Sequence, residues 1–276
     1  MSASTQTNGS ASAPTNRAPL VAACLLGALL LGAMLAPALA PFAVDALDLA
    51  NRRASPSSRH WFGTDELGRD VMTRVLFGAR VSLAIGLVSA LVSAAIGAAV
   101  GATAGYAGRV VDDILMRITD AMLAIPRLPL LMITAAVLQP SVPVLVLLVG
   151  LAGWMETARV VRAEVLSLAA RDFVAAARAM GASPFRVVLR HVLPGVIPAA
   201  AVATTLAVGR GILLESALSF FGVGVQPPTA SWGNMLYQAQ TTMTSEPWLA
   251  IFPGAMIFLT VLACNAVGDA IGAARG

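Results

Sequence analysis

From Val81 to Gly108 the chain carries no charged residue, and an apolar run of that length has few places to go. As a helix it would be about 40 Å long, more than the roughly 30 Å hydrocarbon core of a bilayer. Gly97, Gly101 and Gly105 recur within it at four-residue intervals, a small-residue spacing that lets helix backbones approach closely in lipid. Comparable runs follow one another along the chain, so the expected fold is an all-α polytopic membrane protein. Composition agrees: 58% of residues are hydrophobic, 12% are charged and the mean hydropathy is +0.81, whereas soluble domains carry about 25% charged residues.

Residues 1–19 are polar and nearly uncharged, and read as a disordered cytoplasmic tail. Residues 20–44 form the first apolar run. Ala38-Leu39-Ala40 looks like a signal-peptidase site, but the run is longer than a usual signal core and Pro41 follows at once, so an uncleaved first transmembrane helix is expected. Residues 45–80 read as an external linker, and residues 81–272 as a core of five further helices. Within that core a third span, Ile114 to Leu138, is interrupted by Pro126-Arg127-Leu128-Pro129. Residues 139–143 make a turn, and a fourth span ends near Thr157. A fifth runs from about Val196 to Phe221 and a sixth from Trp248 to Val267. Six spans place both termini on one side. The segment between the fourth and fifth carries Arg159, Arg162, Arg171, Arg178, Arg186 and Arg190, matched by six arginines between the first two spans. Arg17, Arg109, Arg117 and Arg275 tip the balance to ten against six, so that segment and both termini are expected in the cytoplasm.

All 18 basic residues are arginine. A P-loop needs its lysine on the phosphates, so the chain is not itself a P-loop ATPase, and Schiff-base chemistry is excluded. His60 and His191 lie far apart, outside any metal-ligand or catalytic-triad spacing. Cys24 and Cys264 sit in apolar runs as packing residues. Basic residues are not interleaved with aromatics, which leaves nucleic-acid binding without support.

Residues 171–198 form a polar, arginine-bearing island. Asp172 to Met180 holds good helix formers, and Gly181 stands where a left-handed C-terminal cap is wanted. Ser183-Pro184 offers an N-cap and first-turn proline to a second short helix, which Pro194 is expected to close. Phe173, Ala176, Ala177 and Met180 share one helical face, a narrow stripe that suits a close-fitting partner.

This segment resembles the cytoplasmic loop of ABC-importer permeases, whose pattern is Glu-Ala-Ala, three residues, Gly, nine residues, Ile-x-Leu-Pro. Ala176, Ala177, Gly181, Leu193 and Pro194 fall on it, while Ala175 replaces the glutamate and His191 the isoleucine. Together with Gly63–Asp70 and the tract from Glu215 through Phe220-Phe221-Gly222 to Pro228, the sequence is similar to the C-type permease subunits of dipeptide, oligopeptide and nickel importers. The resemblance runs from about His60 to Ile271.

What the resemblance implies is one half of a heterodimeric channel in the plasma (inner) membrane. Its partners would be a second, similar permease, one or two cytoplasmic ATPase subunits, an external substrate-binding protein and the lipid bilayer. ATP and Mg would sit on the ATPase subunits, with no cofactor on this chain and no catalysis by it. The loop would be the coupling helix, with Asp172, Phe173, Ala176, Ala177, Arg178, Met180, Gly181 and Pro184 meeting the ATPase. Thr64, Asp65 and Trp232 lie in the two outer segments expected to receive the binding protein. Arg127 and Glu215, charges inside apolar spans, are expected to mark the translocation pathway; Arg127 stands where relatives usually carry a small polar residue. The alternative for such charges is an interhelical Arg–Glu pair, and Arg210 is a loose partner for Glu215. Peptides are the favoured cargo over nickel or a metal chelate, which would call for imidazole-type ligands unless fully chelated. An ion-coupled secondary transporter is a further reading, though that class has no dedicated docking loop.

Overall fold

Prolines and glycines divide the apolar runs into eleven α-helices among the residues described by a computed structural model, 18–139 and 141–274. The expected disordered tail falls almost wholly outside those residues, as do Pro140, Arg17 and Arg275. The helices are α1 (Ala18–Met34), α2 (Ala36–Leu39), α3 (Val71–Tyr106), α4 (Arg109–Ala124), α5 (Arg127–Leu138), α6 (Val142–Ala169), α7 (Asp172–Ala179), α8 (Pro184–Val187), α9 (Leu193–Phe220), α10 (Trp232–Ala239) and α11 (Trp248–Ala273). Four stretches are long and apolar enough to cross a membrane: α3, α6, α11 and the continuous run Pro184–Phe220. A fifth is the pair α4–α5, if counted as one span bent by 81°. The shorter α1, at 17 residues, is apolar throughout.

Several boundaries depart from expectation, each for a local reason. The first run does not stay helical to Val44: α1 stops at Met34, and after the single turn of α2 the chain is extended at Ala40, the residue before Pro41, as a proline demands of its predecessor. The 45–80 linker ends early, because Asp70 caps α3 by accepting the Thr73 N–H at 2.8 Å. That start draws Arg74 and Arg80 into a 36-residue helix. Pro194 does not close the second short helix. Residues 188–192 form a π-turn that runs straight into α9, and the wider i→i+5 turn takes up a ring that lacks an N–H. The fourth span continues beyond Thr157 to Ala169.

The interrupted third span is the break between α4 and α5. Ile125 is extended ahead of Pro126, and the helix axis swings by 81° there. Ion pairs from Arg162 to Asp112 and from Arg159 to Asp120 fasten α4 to α6.

The close approach expected of the glycine stripe occurs between α3 and α6, the most extensive helix pairing among the described residues. A Cβ on Gly97 would lie 2.6 Å from Thr157 Cβ, and one on Gly101 2.4 Å from the Ala158 carbonyl oxygen. At the end of that pair where α6 finishes, Val161, Val165 and Leu168 of α6 pack with Val174 and Ala177 of α7, Val187, Val192 and Val196. This cluster seats the short helices on the long ones.

Candidate functional site

The island at residues 171–198 folds as a capped corner. Gly181 adopts φ +82°; its N–H donates to Arg178 O at 2.9 Å, and the Ala182 N–H donates to Ala177 O at 3.1 Å. These two bonds satisfy carbonyls left open at the end of α7, the usual reward of a left-handed cap. Pro184 opens α8 as expected, although the Ser183 hydroxyl makes no capping bond.

The expected stripe is divided by this geometry. Val174 and Ala177 are buried against α6 and α8, so Ala177 is an internal contact and its place on the outer face is corrected. The alanines on either side made the rotation of α7 ambiguous by about one residue. Phe173 and Ala176 stay exposed, as do Met180 (81%) and Phe185 (74%). Asp172 lies in the first turn of α7. Arg178 turns back toward the bundle, 5.3 Å from the Tyr106 ring centroid. Phe173, Met180 and Phe185 are the large apolar side chains exposed on this corner, alongside the exposed charges of Arg171, Asp172 and Arg186.

In the middle of the bundle the charges pair differently from expectation. Arg127 donates from Nη2 to Glu156 Oε1 at 2.9 Å, and Arg210 Nη1 lies 2.8 Å from Glu156 Oε2. One carboxylate from α6 is thus clasped by arginines from α5 and α9. Arg127 reaches it because the break at Pro126 places it first in α5. Glu215 belongs to a separate cluster. It is fully buried and accepts from Ser219 Oγ at 2.8 Å, Ser82 Oγ at 3.0 Å and Ser216 Oγ at 3.4 Å. The expected Arg210–Glu215 pairing is corrected, since residues five apart on a helix point about 140° away from each other. Arg127 and Glu215 are not brought together. Glu156 went unread, although it is an isolated acidic residue among apolar neighbours in its span.

At the opposite end of the bundle from the corner, the three residues expected to face a binding protein are interior. Thr64 is fully buried, its hydroxyl donating to Asn51 O and accepting from the Ala54 N–H. Asp65 accepts from the Leu67 and Arg69 N–H groups and from Arg69 Nε at 2.7 Å. Trp232 is fully buried, donating from Nε1 to Val75 O and from its backbone N–H to Ser82 Oγ, each at 3.1 Å. Their roles as surface contacts are corrected: Thr64 and Asp65 bond within the segment ahead of α3, and Trp232 ties the start of α10 to α3. The segment around Trp232, expected as loop, opens α10. There Ser231 accepts the Asn234 N–H and the Asn234 side chain accepts the Ser231 N–H. That Ser-x-x-Asn spacing was the available signal. Leu47, Leu49, Trp61 and Leu67 are the large apolar side chains left exposed on the segment ahead of α3.

With this geometry in place, the chain matches the family described as the binding-protein-dependent transport system inner membrane component over residues 97–274. A dipeptide transport system permease protein of Alkalihalophilus pseudofirmus is 36% identical, covering 86% of this chain and 78% of the relative. One of the same name from Bacillus subtilis is 37% identical over 85% and 74%. A glutathione transport system permease protein of Escherichia coli is 41% identical over 84% and 77%.

Proposed function

The chain belongs to the binding-protein-dependent transport system inner membrane components, and from that premise we propose that it is the permease subunit of an ATP-driven importer of short peptides. The apolar corner formed by Phe173, Met180 and Phe185 is the observation that carries this reading. A membrane protein that closes a helix with a left-handed glycine and aims large apolar side chains away from its own core has built a seat for another protein. The partner is a cytoplasmic ATPase carrying ATP and Mg, and a second permease completes the channel. In this reading α1, α3, the α4–α5 pair, α6, α9 and α11 are the six spans, with both termini in the cytoplasm.

Peptide cargo follows from the relatives' names and from where the two imidazoles lie: His60 is bonded to Asp70 ahead of α3, and His191 lies in the π-turn at the coupling end, so neither stands at the bundle centre. Closure of the ATPase dimer draws the corner inward and favours the outward-open channel. Because a switch responds only to a ligand that binds its two states differently, contact at the corner must differ between states. An external binding protein delivers the peptide, and Trp61 and Leu67 supply exposed apolar contact on that side.

The test is Gly181→Val in the complex reconstituted with its ATPase. A β-branched residue at positive φ costs about 1–3 kcal/mol, so the corner should distort, and both ATPase association and peptide uptake should drop at least several-fold. Full association and wild-type uptake by this variant would remove the docking role.

A further inference from the structure

The Arg127–Glu156–Arg210 cluster has an imbalance that the bundle leaves uncorrected. Two guanidiniums share one carboxylate, with one bond of 2.9 Å and one contact of 2.8 Å between them, so its formal charge is +1. A guanidinium has five N–H donors, and no second carboxylate lies within ion-pair distance of either arginine among the described residues. The Arg210 side chain is 43% exposed and that of Glu156 36%. Glu156 stands near the middle of α6, about 20 Å from either end. An unbalanced, partly exposed cation at that depth is costly against lipid and is found instead facing a wet cavity or another protein.

We propose that this cluster is a cargo site that binds the free C-terminal carboxylate of a peptide in transit. The inference rests on the permease reading above. A carboxylate matches the spare donors of two arginines in geometry and sign, and charge-assisted, fork-like pairs of this kind are the strong ones. The cargo's ammonium end finds nothing comparable, because Glu156 is already shared and the net field is positive. Glu156 also competes with the cargo for the two arginines, which keeps the bound carboxylate from being held too tightly to leave. A carboxylate from the second permease is the rival occupant.

Uptake of alanyl-alanine and of its C-terminal amide by the full complex in proteoliposomes separates these possibilities. The binding protein is common to every variant, so its own preference cancels in the ratio. Arg210→Gln should lower alanyl-alanine uptake about tenfold and amide uptake less than twofold. Equal loss for both probes, as expected if the arginine holds the second permease, overturns the carboxylate site and leaves the permease reading intact. Wild-type uptake of neither probe overturns both. Should Arg210→Gln fail to assemble, Glu156→Gln carries the test with the opposite sign: KM for alanyl-alanine falls several-fold while that of the amide stays put. An unchanged KM there overturns the proposal.

Discussion

Adding one methyl group at Gly101 should measurably loosen the protein. A Cβ at this position would lie 2.4 Å from the Ala158 carbonyl oxygen, 2.9 Å from Val161 Cβ and 3.0 Å from the Arg162 nitrogen. Two of those three neighbours are backbone, so no side-chain rotation relieves the contact. Restoring ordinary separation moves α3 and α6 apart by about 1 Å, and a gap of 0.5–1 Å forfeits a quarter to a half of the dispersion attraction along the seam. Overpacking of this kind costs about 1–3 kcal/mol. Alanine's advantage over glycine in a helix returns about 1 kcal/mol, which leaves Gly101→Ala destabilised by up to roughly 2 kcal/mol. Gly32 in α1 supplies the control, because nothing lies within 4 Å of a Cβ built there; Gly32→Ala should be stabilised by up to about 1 kcal/mol. Thermal or denaturant unfolding of the purified permease in one detergent compares the two directly. If Gly101→Ala is as stable as Gly32→Ala, the α3–α6 seam is not a rigid close approach.

Two further outcomes concern residues whose roles the geometry reassigned. Glu215→Ala should cost about 3 kcal/mol in an unfolding measurement, because it strips three buried serine hydroxyls of their acceptor; Glu215→Gln, which keeps an acceptor, should cost less. Ala177→Leu should destabilise the permease by about 1–3 kcal/mol through overpacking beneath α7, with Phe173→Ala close to neutral in the same assay. Phe173→Ala should instead lower stimulation of the ATPase, and the reverse pattern for this pair would mean that the faces of α7 have been exchanged.

The long apolar runs, the glycine stripe of α3 and the left-handed corner at Gly181 were all readable in the sequence. Each rests on an interaction that is local or periodic: chain length against membrane thickness, a four-residue repeat, a residue that tolerates positive φ. Failures came where a third dimension decided. Arg210 is near Glu215 in sequence but points to the other side of α9, and the partner it finds is on α6. Thr64, Asp65 and Trp232 carried the polar and turn character of a surface, yet Thr64 and Asp65 bond within the segment ahead of α3 and Trp232 ties α10 to α3. The rotation of α7 is not legible in the sequence because alanine marks neither face strongly. Glu156 needed only the rule already applied to Arg127, that a charge inside an apolar span asks for a partner.

The π-turn at residues 188–192 makes one continuous helical rod of Pro184–Phe220. The rod begins at the corner and carries Arg210 roughly 39 Å along its length. A tilt of about 5° at its foot sweeps Arg210 sideways by some 3 Å, farther than the reach of its contact with Glu156 allows. The wide turn lies next to the foot, and Pro198 lies about 21 Å along the rod. On the reading proposed above, such leverage would carry a push on Phe185 to the Arg210–Glu156 contact, and it would have to reshape the packing of α9 on α3, α6 and α11 on the way.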